Sequence, residues 1–394
     1  MLVRGARLNA GTNDLNHDPK HGCDHVGYLD GDRDLRLDAC RGLALWFIFI
    51  DHIPGNAFDW LTLRNYGFSD TSEIFVFVSG YTCMLSYGGA LRRQGWPTVV
   101  VRSLRRSLEI YAAFLLLVIA YLALVWVTGT DLYRDETNTR VFFDNPGIAL
   151  IHLLALQYTP VNTDILPLFV MLHFGFPLVL WFMIRNATIA LSASFLLYMM
   201  VQLYSWNLPA WPAREAYFNP LAWQMLFVLG AYCATPGAAR LAGISLSPVV
   251  VSVAASVVIF SLVVTLSWRI EQLKWLVPDA VVGWIYPIYK THLAPPRLVH
   301  FLALMVLGMR FLSPIKHSKL KPWAVAMIRC GENSLSIYCF SVLASFLGFV
   351  VLNEISGRLA MEAIVSASGI ILMIAIASLL AWEAKFDRRG PKPF

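Results

Sequence analysis

Residues 34–56 read DLRLDACRGLALWFIFIDHIPGN, and only Leu43 to Ile50 run uninterrupted by polar groups. A helix that carries Asp38, Arg41, Asp51, His52 and Asn56 beside such an apolar stretch is costly to place in lipid unless those groups face the interior of a bundle. The rest of the chain supplies that bundle. Hydrophobic residues make up 57% of the 394 and charged residues 14%, which excludes an ordinary soluble domain. The apolar residues come in long unbroken runs rather than short alternating strands, which excludes a membrane barrel.

Ten runs are long enough to suggest helical spans, at 36–58, 73–91, 108–128, 164–184, 187–206, 219–236, 247–267, 297–313, 332–352 and 361–382. Shorter stretches at 147–158 and 278–289 suit an interfacial or re-entrant position. The expected fold class is therefore an all-α polytopic membrane protein of about ten transmembrane helices. With both termini inside, nineteen Lys and Arg fall on the inner side and nine on the outer, so the positive-inside rule favours N-in, C-in. The net charge of +6 belongs to these connecting stretches and does not mark a nucleic-acid binder. Residues 1–34 read as a disordered cytoplasmic tail, 35–385 as one transmembrane domain and 386–394 as a cytoplasmic C-terminal tail. In the first tail His17, His21 and His25 recur every four residues, a metal-binding spacing only if helical, and Pro19 and Gly22 oppose that helix. The scattered cysteines form no metal quartet, and no metal site is expected.

Arg41 and His52 are eleven residues apart, so they share one helix face with roughly 16 Å of rise between them. His52 then lies about 21 Å beyond Asp38, deep in the outer half of the membrane. A buried imidazole on such a face reads as a general base, or as a core histidine bonded to a carbonyl. Arg41 and Asp38 read either as an anion site or as an i, i+3 pair at the membrane surface. Asp51 points about 100° away from His52. Asp70 and Glu73 have capping-box spacing, and Glu73 would also be placed to orient His52. Gly80 would let two helices approach closely. His152, His173 and His300 have no acidic neighbour at helical spacing and read as structural. Among the basic residues, Arg92, Arg93, Arg102, Arg105 and Arg106 suit donor phosphates or anionic lipid headgroups.

The run from Arg33 to Gly80, with TDILPLF (163–169), FNPLAWQMLFVLG (218–230) and GENSLSIYCF (331–340), closely resembles the OpgC proteins, inner-membrane succinyltransferases acting on osmoregulated periplasmic glucans. The resemblance also implies kinship with acyltransferase-3-like membrane enzymes, whose Arg-x10-His signature is matched by Arg41 and His52. It implies a bacterial inner-membrane O-acyltransferase with no permanently bound cofactor, acyl-CoA (succinyl-CoA) as co-substrate and periplasmic glucan as acceptor. On that reading Arg41, with Asp38, Arg102 and Arg105, holds the donor, and His52, Glu73 and Asp51 form the catalytic group. Asn56 donates to the developing oxyanion, and Asp70 stands beside the acceptor. Direct transfer and an acyl-His intermediate both remain open. The outer aromatics Trp60, Tyr66, Phe68, Trp206, Trp211, Trp275 and Trp284 suit either sugar stacking or an interfacial belt. A proton-coupled transporter or flippase of a glycan or lipid carrier is the alternative function.

Overall fold

The computed structural model describes residues 35–212, 214–238, 243, 247–311 and 321–387. The N-terminal tail with its histidines and most of the C-terminal tail lie outside the described residues. What is described is almost wholly helical: α1 (Leu35–Asp51), α2 (Thr71–Thr128), α3 (Asp131–Glu136), α4 (Arg140–Asp144), α5 (Pro146–Leu154), α6 (Ile165–Tyr204), α7 (Pro220–Cys233), α8 (Pro248–Arg269), α9 (Asp279–Ile285), α10 (Pro295–Phe311), α11 (Pro322–Glu332), α12 (Ser334–Glu354) and α13 (Leu359–Asp387). A two-residue antiparallel pairing joins Pro209–Ala210 to Arg214–Glu215.

Among the described residues five helices are long and apolar enough to cross a membrane: Thr71–Thr128, Ile165–Tyr204, Pro248–Arg269, Ser334–Glu354 and Leu359–Ala384. Ten full-length spans were expected. The difference has two sources. First, α1 and α10 have 17 residues each and α7 has 14, short of a full span. Second, the adjacent runs 73–91 and 108–128 merge into the 58 residues of α2, and 164–184 and 187–206 into the 40 residues of α6. A straight helix of 58 residues would measure about 87 Å, far more than a bilayer is thick. The chain breaks it at Gly95, whose φ of 79° leaves the helical region just before Pro97. Asn186, at φ −159° and ψ 102°, breaks α6 in the same way.

Each end of these helices has a local cause. Pro54 and Gly55 follow α1, and Gly55 takes φ 74°. Asp70 caps α2 through Ser72 N–H while Glu73 reaches back to the Asp70 N–H, the box its spacing predicted. Asn219 caps α7 through Leu221 N–H, ahead of Pro220.

The bundle is drawn together by small residues. A Cβ on Gly80 would lie 1.8 Å from the carbonyl oxygen of Phe227, and one on Gly230 would lie 2.0 Å from that of Phe77. The α2 and α7 backbones therefore touch at a reciprocal crossing, as the sequence suggested for Gly80. The same relation joins Gly42 to Met327 and Gly331 to Asp38, so α11 packs directly on α1. The expected spans 297–313 and 332–352 left these residues to a connection, and Pro322–Glu332 is instead a helix of the bundle. Around the crossings Trp223, Phe227 and Phe176 are fully buried, the last two edge to face at 5.6 Å. By contrast Val249, Val253 and Ile259 on α8 and Ile364, Ile371 and Leu379 on α13 are exposed, the apolar girdle a lipid-facing surface needs.

Candidate active site

One end each of α1, α2, α6, α8 and α10 converges on a cavity of about 740 Å³, called the outer cavity after the side to which the charge count assigns these segments. His52 lines it from the turn just after α1, where the His52 N–H still bonds the Ile48 carbonyl at 3.0 Å. The His52 Nδ1 is buried and has no hydrogen-bond partner among the described residues. Asp51 lines the same wall and accepts from the Thr62 hydroxyl at 2.6 Å, while the guanidinium of Arg64 donates to its carbonyl at 3.3 Å.

Asp70 also lines this cavity and belongs to a buried charge cluster. Lys290 Nζ donates to Asp70 Oδ2 at 2.8 Å and Arg297 Nη2 donates to the same oxygen at 3.0 Å. Burial raises the Asp70 carboxyl, but these two cations outweigh it and hold the group well below the usual carboxylate range. Glu73 sits behind this pair with no exposed surface. Its Oε1 accepts from Arg297 Nε at 2.7 Å and its Oε2 from the Asp70 N–H at 3.0 Å. With both oxygens so engaged, Glu73 makes no hydrogen bond to His52 among the described residues, and its placement is that of a cap and counter-ion.

A second cavity of about 280 Å³, called the inner cavity on the same charge count, is lined by residues further along α1, α2 and α6. Arg41 and Arg106 line it together with Ser79, Thr82, Cys83 and Tyr87. Ile48, Ile165 and Tyr338 line both cavities, so these three side chains stand at the waist between them. Tyr338 is buried and donates to the Asn162 carbonyl at 2.5 Å. The face shared by Arg41, Ile48 and His52 thus contributes to the walls of both cavities.

The other expected site residues fall as follows. Asp38 is buried and paired with Arg41, without lining either cavity. Asn56 is placed away from both: its Nδ2 donates to Ser366 Oγ at 3.0 Å and its Oδ1 caps a 3₁₀ turn through Phe58 N–H. Arg102 and Arg105 are exposed, bonded to Gln94 at 2.9 Å and Glu109 at 3.1 Å, and line neither cavity. His173 lines the inner cavity and is held by internal contacts, with Nδ1 toward the Phe169 carbonyl at 2.9 Å and Nε2 3.5 Å from Cys83 Sγ. His152 stacks on Trp211, and His300 bonds Ser69, as structural roles require. Of the seven outer aromatics considered for stacking, only Phe68 lines the outer cavity.

Lys290, Arg297 and Tyr338 were not singled out from the sequence, and Arg106 was named only as one of five basic residues. One signal was available: Arg297 stands in the first turn of α10, where the helix dipole disfavours a cation, so a fixed carboxylate partner was implied. Tyr338 had none, since a tyrosine in an apolar run looks like core.

No match is found among curated proteins or among solved structures. The family described as OpgC protein matches residues 33–385, a span that includes both cavities and every residue of the charge cluster, and the chain belongs to the OpgC family.

Proposed function

We propose that this protein is a membrane O-acyltransferase that moves a succinyl or similar acyl group from cytoplasmic acyl-CoA to hydroxyls of periplasmic glucans. Membership in the OpgC family supports a role in periplasmic glucan modification and a transferase kind of chemistry. The observation that supports the mechanism is the pair of adjoining cavities whose walls share Ile48, Ile165 and Tyr338, with Arg41 and Arg106 lining the inner one and His52 the outer one.

Arg41 and Arg106 receive the phosphates of the donor, since guanidinium groups pair well with phosphate oxygens. The pantetheine arm then runs past Ser79 and Thr82 toward the waist, which delivers the thioester to the outer cavity. There His52 takes the proton of the sugar hydroxyl as the oxygen attacks the thioester carbonyl. The tetrahedral adduct collapses, the carbon–sulfur bond breaks, and the proton passes to the departing thiolate. Asp51 and the cluster around Asp70 stand on the acceptor side, and Glu73 acts by holding that cluster in place.

Ten membrane crossings with both termini inside fit this path. The breaks at Gly95 and Asn186 divide α2 and α6 into two crossings each, and α1, α7 and α10 provide short ones. Segments that the charge count assigns to the outer side, around Arg64, Asp70, Arg269, Lys290 and Arg297, all line the outer cavity.

The test is His52→Gln in the purified protein, with release of CoA and acylation of glucan both measured. Loss of a general base should lower turnover at least about a hundredfold at normal abundance. Near wild-type acylation would remove His52 from the reaction, and glycan transport without CoA release would replace the enzyme reading by a transporter.

A further inference from the structure

A third cavity of about 470 Å³ adjoins the outer one and shares Thr159, Asp164, Tyr217 and Phe218 with it. Its remaining wall comes from the segments around Gln157, Glu215, Tyr289 and His292, which lie between helices on the same side as His52. Both volumes fall in the range of about 300–1,000 Å³ typical of sites for small-molecule ligands. The mechanism above uses only the first.

The lining of this third cavity is polar and aromatic together. Tyr289 is 62% exposed and Tyr217 47% exposed, so both of these lining rings are accessible to a ligand. Gln157 Oε1 is taken by His152 at 2.7 Å, which leaves the Gln157 amide hydrogens without a partner among the described residues. Glu215 Oε2 accepts from Asn207 at 3.1 Å, and its Oε1 is unbonded among the described residues. The frame behind them is rigid. Asn219, the cap of α7, bonds His292 Nδ1 at 3.0 Å and the Trp206 carbonyl at 2.5 Å.

This combination matches a neutral sugar. The C–H face of a pyranose carries partial positive charge and suits the negative face of an aromatic ring. Its hydroxyls donate to a carboxylate such as Glu215 and accept from an amide such as Gln157. We propose that the third cavity is a second sugar subsite, which binds the glucose unit next to the one acylated beside His52. The proposal rests on the reading that the acceptor is a glucan, and it adds that the enzyme recognises a chain of at least two units across the two cavities.

The test uses the full-length protein in lipid nanodiscs with succinyl-CoA as donor and two acceptors, glucose and a longer linear glucose oligomer. Binding of each acceptor without donor is measured in parallel. For Tyr289→Ala and Glu215→Gln, the ratio of kcat/KM on the oligomer to kcat/KM on glucose should fall about tenfold, as for loss of an anchoring contact. Tyr289→Phe keeps the ring face and should restore the ratio. An unchanged ratio in both variants overturns the subsite while leaving acyl transfer intact. Length-dependent binding lost in the variants, but with no acyl transfer by the wild type, keeps the subsite and overturns the enzyme reading. Neither binding nor transfer overturns both.

Discussion

Replacing Arg297 by Gln removes the cation that joins the starts of α2 and α10 beneath the outer cavity. In the wild type Arg297 Nε donates to Glu73 Oε1 at 2.7 Å, Nη2 lies 2.6 Å from the same oxygen, and Nη2 donates to Asp70 Oδ2 at 3.0 Å. Lys290 remains on Asp70 in the variant, but Glu73 keeps only the Asp70 N–H. Glu73 has no exposed surface, so an unpaired carboxylate there should cost about 3–5 kcal/mol. Glu73→Gln should cost less, about 1–3 kcal/mol, because Arg297 retains Asp70 and the amide oxygen still accepts from the Asp70 N–H. The double variant Arg297→Gln with Glu73→Gln removes both charges and should be less destabilised than the two singles summed, by about 0.5–3 kcal/mol of coupling. Thermal denaturation in detergent reads the effect. At roughly 2 °C per kcal/mol, Arg297→Gln should lower Tm by about 6–10 °C. A fall under about 2 °C, or strict additivity in the double variant, would refute the claim that this buried pair anchors the site.

Three further outcomes are expected. Arg41→Ala and Arg106→Ala should each weaken acyl-CoA affinity about tenfold or more, the loss of a charge-assisted hydrogen bond, while Arg102→Ala, which lines neither cavity, leaves it unchanged in a donor-binding assay. Gly80→Ala puts a methyl group 1.8 Å from the Phe227 carbonyl oxygen and should sharply reduce the yield of folded protein, whereas Gly175→Ala, with nothing within 4 Å, should fold normally. Cysteines placed at 102 and 274 should react with impermeant reagents from opposite sides of the membrane, and labelling of both from one side would break the ten-crossing arrangement.

Much of the site follows from spacing along single helices, which is a local property. Eleven residues separate Arg41 from His52, and this interval alone put both on one face of α1, the face that lines the two cavities. The capping box at Asp70 and Glu73 was equally local, and it formed as spaced. The glycine at position 80 predicted close helix approach, and composition made the chain a helical membrane protein.

What only the tertiary structure decided is which distant groups meet. Lys290 and Arg297 lie more than 200 positions from Asp70 and Glu73, and no helical period relates them. Their pairing took Glu73 away from His52, because a fully buried carboxylate needs a cation more than it needs a neutral imidazole. The choice of Arg106 over Arg102 and Arg105 was also tertiary: all three share one basic segment, and only the rotation of α2 against α6 turns Arg106 into the inner cavity. Asn56 was drawn off to Ser366 on α13, and α11 docked on α1 through Gly42 and Gly331, a contact that needs both backbones in place. Hydrophobic patterning encodes which face of a helix is buried, but the partner that covers the face is set by the packing of the whole bundle.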